Sequence, residues 1–373
     1  MAGLTLWESW LASSLESPDT VPSMMLSTLS SGAQTLTGFP PPPIRGIDLP
    51  GPFFIAFYTL VIMIGIVMAV VVATRLWKSR GGQSDDVFSA MLWAVLIGIV
   101  GARIYHVVSS PDAYFGPDGD LTRIPQLWLG GLSIIGAVMA GSFAVWFFCR
   151  KNGIKFGAFA DAIVPGVILA QAIGRWGNWF NQELFGRATD LPWGLRIDTD
   201  QQHQGLTGSL PAYAADGGLF HPTFLYESLW NLLGFVALIL LFKRFQFRQG
   251  LIAWTYVAYY ALGRFWIESM RIDEVNKSTQ YPLRDLLGLD WRLNQIVAFV
   301  IFVVAMAILV WLFIKRPQTE AEIAEHAEIY SPDSPHRTGD MALAGSAGGE
   351  ADAENAADRA PDESPGTGPR SEN

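Results

Sequence analysis

The chain contains one cysteine, Cys149, and little charge: Asp, Glu, Lys and Arg make up 16% of its 373 residues, against about 25% in soluble domains. A single cysteine excludes an internal disulfide framework and a Cys-ligated zinc site. The 25 basic residues gather into no patch dense enough for nucleic acid. There is no Gly-rich nucleotide loop and no Gly-x-Ser-x-Gly elbow. His221 is the only histidine of the body beside a carboxylate-rich segment, so neither a metal nor a cofactor is expected. What the chain does hold is apolar: 50% hydrophobic and 13% aromatic residues, with 14 Trp. Its net charge of −9 belongs to one end. The segment from Pro317 to Asn373 carries 13 acidic residues against 3 arginines, a net of −10, which leaves residues 1–316 at +1.

Long apolar runs predict an all-α integral membrane protein with about seven transmembrane helices, each near the 17–25 residues a bilayer requires. They fall at about 51–74, 88–109, 127–149, 157–174, 222–242, 251–269 and 294–314. The fourth is the least regular, because it contains Asp161 and the Pro165-Gly166 pair. Every odd-numbered span exits into a basic segment: Arg75, Lys78 and Arg80; Arg150, Lys151 and Lys155; Lys243, Arg244 and Arg248; Lys315 and Arg316. The positive-inside rule then predicts an N-terminus outside and a C-terminus in the cytoplasm. Three segments are expected: an extracytoplasmic extension (1–48), a membrane-embedded catalytic domain (49–316) and a disordered acidic tail (317–373).

The unusual polar residues gather at the outer ends, with an extracytoplasmic loop region expected after span four. That span runs into Gly174-Arg175-Trp176-Gly177-Asn178-Trp179-Phe180-Asn181-Gln182-Glu183-Leu184-Phe185-Gly186. Span five opens with His221-Pro222-Thr223-Phe224-Leu225-Tyr226-Glu227. On span six, Tyr260, Arg264 and Glu268 share one helix face at i, i+4 and i+8. Span two adds Gly101-Ala102-Arg103 with His106, and span one adds Tyr58. Ionisable groups at this depth are costly and face one another or a polar pathway. An Arg–Glu pair alone could merely staple helices. Three arginines and three carboxylates on one membrane face are more than stapling requires, and guanidinium forks with carboxamides suit a phosphate. Placed within an apolar bundle, that phosphate would be a phospholipid headgroup.

These residues resemble a known family. The thirteen-residue run from Gly174 to Gly186 is similar to the signature of the bacterial prolipoprotein diacylglyceryl transferases. His221-Pro222-Thr223-x-Leu225-Tyr226-Glu227, Gly263-Arg264-Phe265-x-x-Glu268, Gly101-Ala102-Arg103 and Gly130-Gly131-Leu132-Ser133 look like its other motifs. The resemblance covers about residues 45–316, and the acidic tail looks like those of actinobacterial members. It implies transfer of the sn-1,2-diacylglyceryl group of phosphatidylglycerol to the thiol of a lipobox cysteine in a prolipoprotein signal peptide. The nucleophile would then belong to the substrate, with membrane lipids as surroundings and Cys149 a bystander.

The chemistry implied asks for cations where the phosphate leaves, which points to Arg175 and Arg264 with Asn178 as an orienting donor. Tyr58 and Glu268 are further catalytic candidates. Asn181, Glu183, Gly186, His221, Glu227, Tyr260 and Arg103 complete the expected substrate-binding set. Glu183, Glu227 and Glu268 are read first as groups that orient arginines. In one respect the chain departs from the family pattern: Ile135 stands where many members carry a histidine or tyrosine, and an isoleucine takes no proton. The base is either elsewhere (Tyr58, His221, Glu227 or Glu268) or replaced by the field of the arginines. A non-catalytic phospholipid-binding or transport protein is the competing reading.

Overall fold

The structure is a computed structural model that describes residues 38–48, 50, 54–117, 119–127, 130–198, 210–244, 248–272, 291–315 and 319–336. Most of the expected extension (1–37), Arg316 and the end of the tail (337–373) lie outside the described residues. In chain order the elements are β1 Gly46–Asp48, β2 Phe54–Ala56, α1 Phe57–Lys78, α2 Ser84–Ser109, α3 Asp112–Phe115, a 3-10 turn Leu121–Arg123 and α4 Ile134–Lys151. Then follow α5 Phe156–Asn181, β3 Ala188–Thr189, α6 Leu210–Ala215, β4 Leu219–Phe220, α7 Thr223–Arg244, α8 Leu251–Met270, α9 Leu293–Ile314 and α10 Glu320–Ala327.

Among the described residues six helices are long and apolar enough to cross a membrane: α1, α2, α4, α5, α7 and α9. The chain is an integral membrane protein, built mostly of helix. The sixth expected span, 251–269, is the helix α8, whose 20 residues would reach about 30 Å. It carries Arg264, Glu268 and three tyrosines, and it falls outside the six by apolarity. Large side chains such as Met63, Ile64 and Val67 on α1 and Val300 and Val304 on α9 are exposed, as a lipid-facing surface requires.

Several boundaries differ from the apolar runs. The first span starts at Phe57, because Phe54–Ala56 pairs antiparallel with Gly46–Asp48. The third starts at Ile134 rather than near 127, since Gly130 and Gly131 take φ of 82° and 72°, which only glycine adopts freely. The fourth continues past Gly174 to Asn181 and keeps Pro165 inside the helix. Its Asp161 is buried because it caps another helix: its carboxylate accepts from Gly250 N and Ala253 N, both at 2.8 Å, at the start of α8.

The chain divides into two compact units. The first holds Met1–Val67, Ile168–Phe235 and Val257–Val304; the second holds Met68–Val167, Val236–Tyr256 and Ala305–Asn373. In the first, Phe185, Leu195, Ile197, Phe220 and Phe224 form a core, with Phe39, Trp176 and Trp179 against it. The Trp179 indole donates to Pro40 O at 3.0 Å, which ties the proline-rich approach to the body. In the second, α2 and α4 run antiparallel in close contact, with Gly101 against Gly136 and Gly98 against Ala137.

The tail expected to be disordered from 317 is partly ordered, and this corrects the reading from composition. Thr319 caps α10 with a reciprocal capping box, and residues 328–336 then lie along the second unit. Ile154 bridges Tyr330; Lys155 N donates to Ile329 O at 2.9 Å and Ser331 N to Gly153 O at 2.7 Å. Ser334 Oγ donates to Asn152 O at 2.8 Å. Gln249 Nε2 donates to His326 O and Glu328 O. The stretch Ile329-Tyr330 is apolar and locally buried, and an average over the acidic tail conceals it.

Candidate functional site

The first unit assembles a chain of charges on α5, α7 and α8. Arg175 lies in the last two turns of α5, not in a loop. The helix closes with Gln182 in the left-handed region (φ 52°), with Gln182 N donating to Trp179 O and Glu183 N to Asn178 O. These two bonds form a Schellman cap. The Gln182 side chain, 2% exposed, accepts from Asp198 N at 2.7 Å and holds this unusual C-terminus in place.

Two ties set α7 beside α5. Ser228 Oγ donates to Ala172 O at 2.9 Å, and Trp176 Nε1 donates to Ser228 Oγ at 3.2 Å. Glu227, one residue earlier, thereby meets Arg175: its Oε2 pairs with Arg175 Nε, and its Oε1 lies 3.7 Å from Arg264 Nη1. Between α7 and α8, Trp230 stacks on Tyr259 with centroids 4.5 Å apart, and Tyr259 donates to Trp230 O at 2.7 Å. Gly263 is required for this approach, because a Cβ there would collide with the Trp230 indole. The neighbouring Arg264 is thus brought to Glu227.

Arg264 also pairs with Glu268 at 2.6 Å. Glu268, 2% exposed, faces two more guanidiniums, Arg271 at 3.7 Å and Arg292 at 3.8 Å, and accepts from Asn294 Nδ2 at 3.1 Å. Around Glu227 and Glu268 four arginines therefore meet two carboxylates. The formal surplus is two positive charges, in surroundings where water screens them little.

Other expected residues surround this chain. The Tyr58 ring covers Gly177, where a Cβ would lie 2.6 Å from the ring. Asn178 is buried, and Asn181 Nδ2 donates to Glu183 Oε1 at 3.3 Å. Gly186 threads between His221 and Met270, with its N–H donating to His221 O at 2.9 Å. His221 Nδ1 lies 3.2 Å from the Tyr226 hydroxyl. Burial, and then the charge of Arg187, hold the His221 imidazole below its ordinary pKa. Tyr260 is half-buried, one turn before Arg264.

Arg103 stands differently. It belongs to the second unit, and its guanidinium donates to Ile124 O at 2.8 Å, Gly130 O at 2.7 Å, Gly131 O at 2.9 Å and Arg123 O. It also lies over the Tyr114 ring. These partners make it a clamp on the loop before α4. Ile135 is 51% exposed in the first turn of α4, and Cys149 is buried.

Arg271, Arg292 and Asn294 are absent from the residues expected at the site. Arg271 extends the α8 series Arg264–Glu268 by another three residues, so its signal was in the spacing. Arg292 precedes the last apolar run at the end opposite Lys315, and a cation there has no place in the positive-inside pattern. Among the described residues no group of His, Cys, Asp and Glu could hold a metal ion.

The family model of prolipoprotein diacylglyceryl transferase matches residues 46–311. Phosphatidylglycerol--prolipoprotein diacylglyceryl transferase 2 of Streptomyces coelicolor is 46% identical over 281 residues, covering 75% of this chain and 83% of the relative. The phosphatidylglycerol--prolipoprotein diacylglyceryl transferase of Cutibacterium acnes is 41% identical over 286 residues, or 77% and 90% of the two chains. That of Mycobacteroides abscessus is 43% identical over 272 residues, or 72% and 76%. With the family's model matched over most of its length, the chain belongs to the prolipoprotein diacylglyceryl transferase family.

Proposed function

We propose that this membrane transferase moves the sn-1,2-diacylglyceryl group of phosphatidylglycerol to the lipobox cysteine of a prolipoprotein signal peptide, within lipoprotein maturation. The substrate sulfur attacks the glyceryl carbon, the carbon–oxygen bond to phosphate breaks, and glycerol phosphate leaves with the electron pair. A thioether forms and the thiol proton is released. The observation that carries this reading is the chain Arg175–Glu227–Arg264–Glu268. The phosphodiester gains one negative charge as it departs, and fixed cations at that point lower the barrier.

Arg175 and Arg264 take the phosphate oxygens, with Asn178 as a neighbouring donor. Glu227 and Glu268 each face at least two guanidiniums, which suits them to orienting arginines rather than abstracting a proton. The same surplus favours the thiolate, the reactive form of the substrate cysteine, and Ile135 leaves that task to it. Tyr58, Asn181, Glu183, Gly186, His221 and Tyr260 line the headgroup region, and Arg103 serves by holding the loop before α4. The basic exits of the odd-numbered spans support an N-terminus outside and a cytoplasmic C-terminus, with α8 crossing as a seventh span.

The test is direct. Purified full-length protein in phosphatidylglycerol vesicles, given a lipobox peptide, should yield a cysteine heavier by one diacylglyceryl group. Arg175→Ala and Arg264→Ala should each slow that product by about 10²–10³-fold, as loss of one preorganised charge donor does. Wild-type turnover in both variants would refute the mechanism, and phospholipid binding without product would favour a non-catalytic lipid-binding protein.

A further inference from the structure

Glu268 is held from two sides, and only one side is accounted for by the reaction. Its Oε2 faces Arg264 at 2.6 Å and Arg271 at 3.7 Å. Its Oε1 accepts from Asn294 at 3.1 Å and faces Arg292 at 3.8 Å. Arg292 and Asn294 stand at the beginning of α9, and that beginning is itself fixed. Arg292 N donates to Gln295 Oε1 at 3.0 Å, while Gln295 Nε2 donates at 3.3 Å to the carbonyl of Phe265, the residue after Arg264. The first turn of α9 therefore grips α8 by its backbone and by its buried carboxylate.

We infer that Arg292 and Asn294 are positioning residues that lock the Glu268 carboxylate and, through it, aim the Arg264 guanidinium at the phosphate. The inference rests on the role of Arg264 given under Proposed function. Arginine and glutamate side chains both have several rotamers, and fixing them in advance is what makes a charge donor effective in the transition state. With Oε1 released, Glu268 can turn about its last torsion and Arg264 turns with it. The ground-state complex loses little, since Arg175 and the apolar surroundings of the acyl chains still hold the lipid. The cost falls on kcat.

The experiment measures kcat and KM for phosphatidylglycerol in full-length Arg292→Ala, Arg292→Lys and Asn294→Ala, with thermal unfolding of each as a control on folding. Arg292→Ala should lower kcat by about thirtyfold and Asn294→Ala by about tenfold, one such decade being 1.36 kcal/mol of barrier. KM should stay within about twofold of wild type, as expected where only transition-state stabilisation is lost. Arg292→Lys should recover most of the loss, because an ammonium still pairs with Oε1. An unchanged kcat would overturn the inference, and so would a rise in KM at constant kcat, which marks direct contact with the lipid. Equal loss in the Lys and Ala variants would overturn it too. Should Arg292→Ala fail to fold, Asn294→Ala decides alone, since it removes one hydrogen bond. A wild-type protein that forms no thioether would instead refute the reading of the reaction.

Discussion

Glu268 and Asp86 are both nearly sealed from solvent, at 2% and 1% exposure, yet they keep different company. Glu268 in the first unit faces three guanidiniums and one carboxamide. Asp86 in the second is met mostly by neutral donors. The Trp77 indole donates to it at 2.9 Å, the Tyr330 hydroxyl at 2.5 Å and Gln83 N at 3.3 Å, while His336 Nδ1 lies 3.6 Å away. A carboxylate outnumbered by cations leaves positive charge to spare, so its surroundings can receive an anion. A carboxylate met at one oxygen by three neutral donors has no surplus of cations beside it, so its surroundings do not draw in a second anion. The first arrangement suits catalysis, and the second fastens a tail.

Removing each carboxylate in turn is the strongest test of the contrast. Asp86→Ala strips partners from two buried donors, at about 1–3 kcal/mol each, so it should lower the unfolding midpoint markedly. Turnover per folded molecule should remain near wild type. Glu268→Ala should instead abolish most turnover, because Arg264 loses the group that aims it. Equal activity losses from the two variants would erase the distinction.

A smaller effect should appear in alkali. Burial, and then the hydrogen bond to the Asp86 carboxylate, raise the Tyr330 pKa above its ordinary value. Such a phenol stabilises the folded state fully below about pH 10, and that contribution is lost as pH rises toward its raised folded value. The unfolding midpoint should therefore fall more steeply between pH 9.5 and 11, both about the ordinary tyrosine value, in wild type than in Tyr330→Phe.

The smallest effect concerns the cation-rich side. His221 is held below its ordinary pKa, so its contribution is complete above about pH 6.5 and declines as acid protonates the unfolded chain first. Wild type should lose a little stability on acidification that His221→Gln does not lose. An identical pH dependence in the two proteins would show that Arg187 and burial have no hold on this ring.

The apolar runs and glycine-rich motifs were legible in the sequence, because hydrophobic length and fixed spacing act locally. Arg175, Glu227, Arg264 and Glu268 could be named from spacing along α5, α7 and α8, and the structure brings them together. What spacing could not supply was the long-range partner. Asp161 read as a flaw in a membrane helix until Gly250 and Ala253 gave it a capping role. Asn294 drew no notice in the sequence, because its partner Glu268 lies on another helix. The tail misled for a different reason. Its composition is an average, and docking depends on Tyr330 and a few neighbours meeting loops more than a hundred residues away.

The Tyr330–Asp86 bond spans 244 residues of chain, which has a consequence for biosynthesis. At synthesis rates of about 5–20 residues per second, Asp86 is added to the chain roughly 12–50 seconds before its partner. All six apolar helices have been made by then. Closure of the second unit over Asp86 is therefore a late event of maturation, which follows the synthesis of all six of these helices.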